Sequence, residues 1–313
     1  MKKNIFLFFA FVIFCLSSVA QDDSAATRDV SRMVTLSEVV VRQGLDVETF
    51  LQRVKNDTTF YKAFRTLHII GFTALNDIRM MDKKGNLKAS LQSKTRQNHL
   101  GGCRTMDVLE ETKTGDIYDG NYDWNYYTAE MYAGLFFTSQ KICNENNIVK
   151  GIELSPKSKS GIEKHKEQLK MLFFNPGKKI PGIPFIGNKI NIFDPEVAKF
   201  YDFNIDLDNY NGEFCYVFSI KAKKDLTNGQ RDDIVIDDMT TWFNTKTMEV
   251  IGRTYDMSYD AGLYDFDVHM EVKMTHFENM LVPKTIFYNG NWDAAFKKRE
   301  RGVFTATLFD FKR

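Results

Sequence analysis

YDFDVHMEVKMTH, residues Tyr264 to His276, alternates from end to end. Tyr264, Phe266, Val268, Met270, Val272 and Met274 fall on one side. Asp265, Asp267, His269, Glu271, Lys273 and Thr275 fall on the other. Neighbouring side chains on a strand point to opposite faces, so the pattern predicts one buried face and one wet face. Such one-sided burial belongs to an antiparallel sheet covered on a single side.

Working outward, the same pattern recurs. Downstream, Val282 to Asn289 and Val303 to Phe311 read as two more strands. Upstream, Ile234 to Phe243 and Met248 to Tyr259 bracket Asn244 to Thr247 as a hairpin. Before that, Phe203, Ile205 and Leu207 alternate with Asp202, Asn204, Asp206 and Asp208, and the chain returns through Asn211-Gly212 into Phe214 to Ala222. Asn-Gly suits a two-residue hairpin turn because both residues must adopt positive φ. Successive strands with short links predict a meander. Thr66 to Met81 and Leu87 to Arg96 flank a turn at Asp82 to Asn86, Met106 to Glu111 pairs naturally with Ile117-Tyr118, and Leu36 to Val41 reads as a short strand.

Helical spacing interrupts the strands. Asp46 is a candidate N-cap before Val47, Phe50, Leu51 and Val54, which form one apolar stripe. Trp124, Tyr127, Met131 and Leu135 form another, widened by Tyr132 and Phe136. Ser160 and Glu163 are spaced as a capping box ahead of Ile162, Leu169, Leu172 and Phe173, stopped by Pro176-Gly177. Pro181 to Gly187 then reads as an irregular apolar loop. The expected fold class is α+β, a curved antiparallel sheet forming a half-barrel-like meander with helices on its concave face. Its body is a single β-rich domain over 36–313 with helical insertions around 123–200.

The N-terminus has the order of a secretory signal: Lys2-Lys3, an apolar run from Ile5 to Leu16, then Ser18 and Ala20 at the positions a signal peptidase reads. Cleavage is predicted after Ala20, leaving 21–35 as a flexible polar arm. The bulky Phe14 disfavours Cys15 as a lipid anchor, and the apolar run is shorter than the ~20 residues of a membrane-spanning helix. The alternating strands also suit a transmembrane barrel, but the central helices and the terminal Lys312-Arg313 speak against one. Lys plus Arg number 42 against 41 Asp plus Glu, so no net field recruits nucleic acid or an anionic surface. Cys103, Cys143 and Cys215 allow one bridge and one spare thiol, with the pairing open; Cys215 lies within an apolar strand and reads as a small buried hydrophobe.

Chemistry-bearing patterns are few. His269 and Glu271 share a strand face and could offer two metal ligands without a third. Asp206 to Glu213 resembles a calcium loop but places Asn211 where glycine is required. His99, Gly101, Gly102 and Cys103 could set a thiol near an imidazole. No G-x-S-x-G elbow, phosphate loop, dinucleotide fingerprint or H-E-x-x-H helix occurs. The expectation is a non-enzymatic protein with no cofactor and no catalytic or metal residues. The aromatic load, 27 Phe, 13 Tyr and 3 Trp, exceeds what any motif explains. It fits either ordinary core or an apolar cavity between sheet and helices, where each buried methylene contributes about 0.8 kcal/mol. Phe266, Val268 and Met270 from the strand, with Trp124, Tyr127 and Met131 from the covering helix, are the candidate lining for a hydrophobic ligand.

The run Trp242 to Val250, followed by strands to Tyr259 and later by Leu281-Val282-Pro283-Lys284, resembles the outer-membrane lipoprotein carrier and sorting family. The resemblance covers roughly 233–289. It implies a half-barrel with helices on its concave face, holding acyl chains or hydrophobic tails in the periplasm. The family's basic residue over the cavity has no matching position. Leu36 to Val41 is similar to the segment that leads into many exported proteins of the Bacteroidetes. Together these imply a periplasmic protein, or one at the periplasmic face of the outer membrane, whose partner is a hydrophobic ligand or lipoprotein. The alternatives are an interaction subunit of an outer-membrane assembly, without a cavity, and a hydrolase with an unrecognised site.

Overall fold

The computed structural model describes residues 24–149, 171–179, 186–261, 264–294 and 299–313. The predicted signal, the capping box at Ser160 and Glu163, and most of the apolar loop at Pro181 to Gly187 lie outside them. A helix α1 (24–31) opens the described chain. There follow β1 (Val34–Leu36), α2 (Glu38–Gln43), α3 (Val47–Lys55), α4 (Thr59–Thr66), β2 (Gly71–Met81), β3 (Leu87–Leu100), β4 (Cys103–Thr114), α5 (Tyr127–Phe136) and β5 (Ile142–Cys143). A helical turn α6 (171–174) precedes α7 (Pro195–Ala198), β6 (Tyr201–Tyr210), β7 (Glu213–Ala222), α8 (Asn228–Arg231), β8 (Ile236–Asn244), β9 (Val250–Ala261), β10 (Tyr264–Phe277), β11 (Met280–Ala294) and β12 (Glu300–Lys312).

All twelve strands form one curved, unclosed sheet in the order β1-β6-β7-β8-β9-β10-β11-β12-β2-β3-β4-β5. Every pairing is antiparallel except β1 with β6. The meander from β6 to β12 follows the sequence pattern, and Asn211 and Gly212 take the positive φ values of 54° and 84° that its first turn needs. That turn is what the calcium-like residues build. No group of three metal-binding side chains occurs among the described residues. The junction no local pattern announces is β12 with β2, from Arg301↔Met81 to Lys312↔Gly71, which carries the β2–β3–β4 meander onto the last strand.

Two N-terminal expectations are corrected. The stretch 21–35 is no loose arm in its described part: α1 buries Thr27 and Val30, and β1 pairs with β6. The strand expected over Leu36 to Val41 stops at Leu36. Glu38 in the first turn of α2 pairs with Arg42 one turn on, and Gly44 closes the helix at φ 67°. These local helix signals outweigh the β-preference of Val39, Val40 and Val41.

The helices cover the concave face. Asp46 caps α3 through the Thr49 amide, and Phe50 meets Tyr216, Phe218 and Phe243 edge-on at 5.6, 5.8 and 5.7 Å. From β10, Phe266, Val268, Met270, Val272 and Met274 are buried beneath them as the alternation requires. Arg253 is also buried there. Its Nε donates to Thr241 Oγ1 at 3.0 Å, and its guanidinium lies 4.5 Å from the centre of the Phe60 ring.

Candidate functional site

At the β3–β4 end of the sheet the cover is incomplete, and α5 explains why. Tyr126 offers α5 no side-chain cap. Glu300, on β12, supplies one instead: its carboxylate accepts from the Tyr127 and Thr128 amides at 2.9 Å each and from Thr128 Oγ1 at 2.7 Å. A carboxylate at a helix N-terminus both satisfies orphan donors and complements the dipole. The helix is thereby set over β12 and β2. Tyr132 packs on Phe304 at 5.3 Å, and its hydroxyl donates to Asn76 Oδ1 at 3.1 Å. Asn76 Nδ2 in turn donates to Ser93 Oγ and Thr95 Oγ1, both at 3.3 Å.

Beyond that hydrogen-bonded floor the sheet continues and the helix does not. A groove of about 560 Å³ opens between α5 and the strands β3 and β4. Ser93 and Thr95 form its floor, Met106 and Val108 its β4 wall, and Met131, Ala133 and Gly134 its helix wall; Tyr118, Trp124 and Phe137 close the ends. Trp124 lies 4.7 Å from Tyr118 and 6.3 Å from Phe137 between ring centres. Val108 stays 59% exposed, so this wall faces open space. The volume falls within the range of small-molecule sites, which are mostly apolar with a few placed polar groups.

A clasp fixes one end of the groove. Cys103 and Cys143 form a disulfide that ties β5 to β4, which settles the pairing left open by the sequence and removes Cys103 as a nucleophile. Cys215 is the buried free thiol, its pKa pushed up to about 11, first by burial and then by Glu213. Arg104 bonds Glu145 through Nε and donates to Thr138 Oγ1 at 2.6 Å and Gln97 Oε1 at 3.3 Å. Gln97 Nε2 donates to the Leu67 and Ile70 carbonyls at 2.6 and 2.8 Å. His68 Nδ1 is 2.7 Å from Glu145 Oε1. Burial, then the charge of Arg104, holds the His68 pKa below its ordinary value, against the pull of Glu145. Thr138 belongs to both the clasp and the groove, so the network holds the chain that closes this end.

The six candidate residues do not line one cavity. Trp124 and Met131 line the groove, whereas Tyr127, half-buried at the head of α5, does not. Phe266, Val268 and Met270 sit in the middle of the sheet. Phe266 stacks on Trp292 at 4.6 Å, and Met270 Sδ accepts from the Tyr255 hydroxyl at 2.8 Å. The paired Gly290 and Gly302 let neighbouring rings lie across the strands. A Cβ at Gly290 would stand 2.0 Å from the Tyr288 hydroxyl, and one at Gly302 2.7 Å from the Phe304 ring. Tyr288 and Phe304 stack at 5.1 Å and fill this part of the concave face. Sequence reading missed Met106, Val108, Tyr118 and Phe137. The alternation of Met106 and Val108 within a predicted strand was the available signal. His269 lies between Asp256 at 2.7 Å and Glu271 at 3.1 Å on the uncovered face. His276 stands apart, between Glu213 and Glu249.

No family model matches the chain, and no curated protein matches it. Among solved structures it is similar to a DUF1329 family protein from Desulfovibrio piger, at 10% identity and a TM-score of 0.23, over 92% of this chain and 91% of that one. It is also similar to a putative outer membrane lipoprotein-sorting protein domain from Vibrio parahaemolyticus, at 10% identity and 0.26, over 79% of this chain and 88% of that one. A third is a lipovitellin structure described for its lipid–protein interactions, at 8% identity and 0.25, over 78% of this chain and 25% of that one. At these values the site's chemistry has to be read from its own geometry.

Proposed function

We propose that this chain is an exported, non-enzymatic binding protein that holds a lipid, lipoprotein tail or other hydrophobic ligand between its sheet and α5. The observation that carries the reading is the groove of about 560 Å³, walled by Met106, Val108, Tyr118, Trp124, Met131 and Phe137 over a hydrogen-bonded floor. Removing apolar surface from water needs no directional motif, so such a site functions without a catalytic constellation. The Cys103–Cys143 disulfide supports work outside the reducing cytoplasm, in the periplasm or at the inner face of the outer membrane.

Native mass spectrometry of the protein expressed through the periplasm tests this. A discrete extra mass that is lost on denaturation and identified as a lipid is the expected result. An apo mass that also takes up no added lipid would sink the reading. A second reading, an interaction subunit of an outer-membrane assembly, is favoured by β4: on its edge away from β3 it pairs, among the described residues, with β5 at Cys103 and Arg104 alone, and it exposes Val108 and Leu109. Crosslinking to a membrane protein, with no bound lipid, would favour that alternative.

A further inference from the structure

Away from the groove, the helices and the chain around Lys178 cover β7, β8 and β9 and leave a cavity of about 20 Å³. Val54, Ile192, Phe193, Phe218 and Met239 give it apolar walls, all of them buried. Two cations reach it. Arg253 is only 7% exposed; its Nε is committed to Thr241 Oγ1 and one face of its guanidinium to the Phe60 ring. Lys178, just past the turn that follows α6, donates from Nζ to the Asp57 backbone carbonyl at 2.9 Å.

Asp57 is the one acidic residue in the lining, and its carboxylate is already engaged. Its Oδ1 accepts from the Thr59 amide at 2.9 Å and the Thr59 hydroxyl at 2.7 Å, and its Oδ2 from the Phe60 amide at 3.5 Å. Among the described residues no carboxylate forms an ion pair with either cation, and the terminal nitrogens of Arg253 find no acceptor. Two positive charges therefore face one negative charge. Burial pulls the Lys178 pKa down to about 8, with Asp57 opposing and Arg253 adding to the shift, so the ammonium stays charged at neutral pH.

We infer that the cavity binds one small monovalent anion, of the size of chloride, between the Lys178 ammonium and the Arg253 guanidinium. A buried charge left unpaired is costly, whereas an anion that accepts from both cations restores neutrality with charge-assisted hydrogen bonds. A space of this volume holds about one water-sized particle. The packed walls leave no room for an attached chain, so the occupant is a free ion and the inference stands independently of the hydrophobic-ligand reading.

Thermal unfolding near pH 7 tests this while sodium chloride replaces sodium gluconate at a constant ionic strength of about 0.1 M. Gluconate is too large for the cavity. Chloride should raise the midpoint saturably, by about 2 °C or more. Lys178→Gln should remove the response, and Lys221→Gln, on the uncovered face beside Asp238, should keep it. Crystals of the parent grown in sodium bromide should show an anomalous peak between the two cations, which decides the matter if Lys178→Gln does not fold. A midpoint indifferent to chloride, a response that survives Lys178→Gln, or a cavity that holds water instead of bromide would each overturn the inference. Bromide seated there without any chloride effect on the midpoint is an adventitious ion only, and overturns it as well.

Discussion

Across β10, β11 and β12 the concave face is closed from within. Gly290 and Gly302 lie side by side, and Tyr288 and Phe304 spread over them with Trp292 and Phe266 stacked alongside. Across β3 and β4 the same face carries Ser93, Thr95 and Gln97 beside Met106 and Val108, with no ring folded over a glycine. Its hydroxyls and amides are satisfied by Asn76, Thr138 and backbone carbonyls. Aromatic content alone does not make a binding site. Where large rings meet small neighbours they complete a core, and where the buried face turns polar a helix can be held above it with space between.

If the middle is core, truncating it should cost stability and nothing more specific. Phe266→Ala is expected to destabilise by about 3–5 kcal/mol, the usual loss for a buried Phe. Urea unfolding measures this, and the fraction that stays folded should still take up ligand. Uptake lost from folded protein would break the comparison, because Phe266 would then belong to the site.

Gly290→Ala sharpens the same point from the opposite direction. The added methyl collides with the Tyr288 hydroxyl, and overpacking of this kind costs about 1–3 kcal/mol. Combining it with Tyr288→Leu should cost less than the two single changes added together, since residues in contact are coupled. Strict additivity would mean that the ring does not fill the space above the glycine.

At the other end the balance reverses. Trp124→Ala should lower stability by no more than about 1–2 kcal/mol, because the ring is only partly buried. Ligand uptake should fall by about tenfold or more, as native mass spectrometry at fixed lipid concentration would show. A large stability loss with unchanged uptake would turn Trp124 into core and leave the groove without its aromatic wall.

This contrast also explains what the sequence made legible. From Tyr201 to Asp208 in β6 and from Tyr264 to Thr275 in β10 apolar and polar residues alternate strictly, one face apolar and the other wet, and the strands between and after them keep enough of that pattern for the meander and its buried face to be read. β3 reads LKASLQSKTRQNHL: its buried face begins with the apolar Ala89 and Leu91 and continues with the polar Ser93, Thr95 and Gln97, so only their parity with those two residues marks them as buried. In α5 and the turn before it, the expected stripe of Trp124, Tyr127, Met131 and Leu135 is half-exposed, while Tyr132 and Phe136, expected only to widen it, are buried with Thr128 and Ala129. A helix apolar on most sides does not declare its inner face; Glu300 sets it from a strand far along the chain. The best sequence pattern thus pointed to the best-packed region, and two of the six candidate residues, Trp124 and Met131, line the groove.

The smallest expected effect separates the two faces by pH. His68, in the clasp, has its pKa below the ordinary value through burial and then Arg104, with Arg65 adding to and Glu145 opposing the shift. An unfolded histidine titrates near 6.5. A group depressed in the folded state contributes stability that is fully present above the unfolded value and lost as pH falls through the folded one. His269 behaves in the opposite sense. Its partial burial works against the charged ring, but the hydrogen bonds to Asp256 and Glu271 outweigh that and hold its pKa above the ordinary value. Its contribution is fully present below the unfolded value and lost as pH rises through the folded one. Urea midpoints followed from pH 5 to 8 should therefore shift in opposite directions for the two variants relative to the parent: His68→Gln should lose least at the acid end, and His269→Gln should lose least at the alkaline end. If ligand release on acidification follows the His68 contribution and ignores His269→Gln, the clasp is the acid-labile wall of the groove. Slopes of the same sign for both variants would remove the electrostatic distinction between the clasp around His68 and the uncovered face that carries His269.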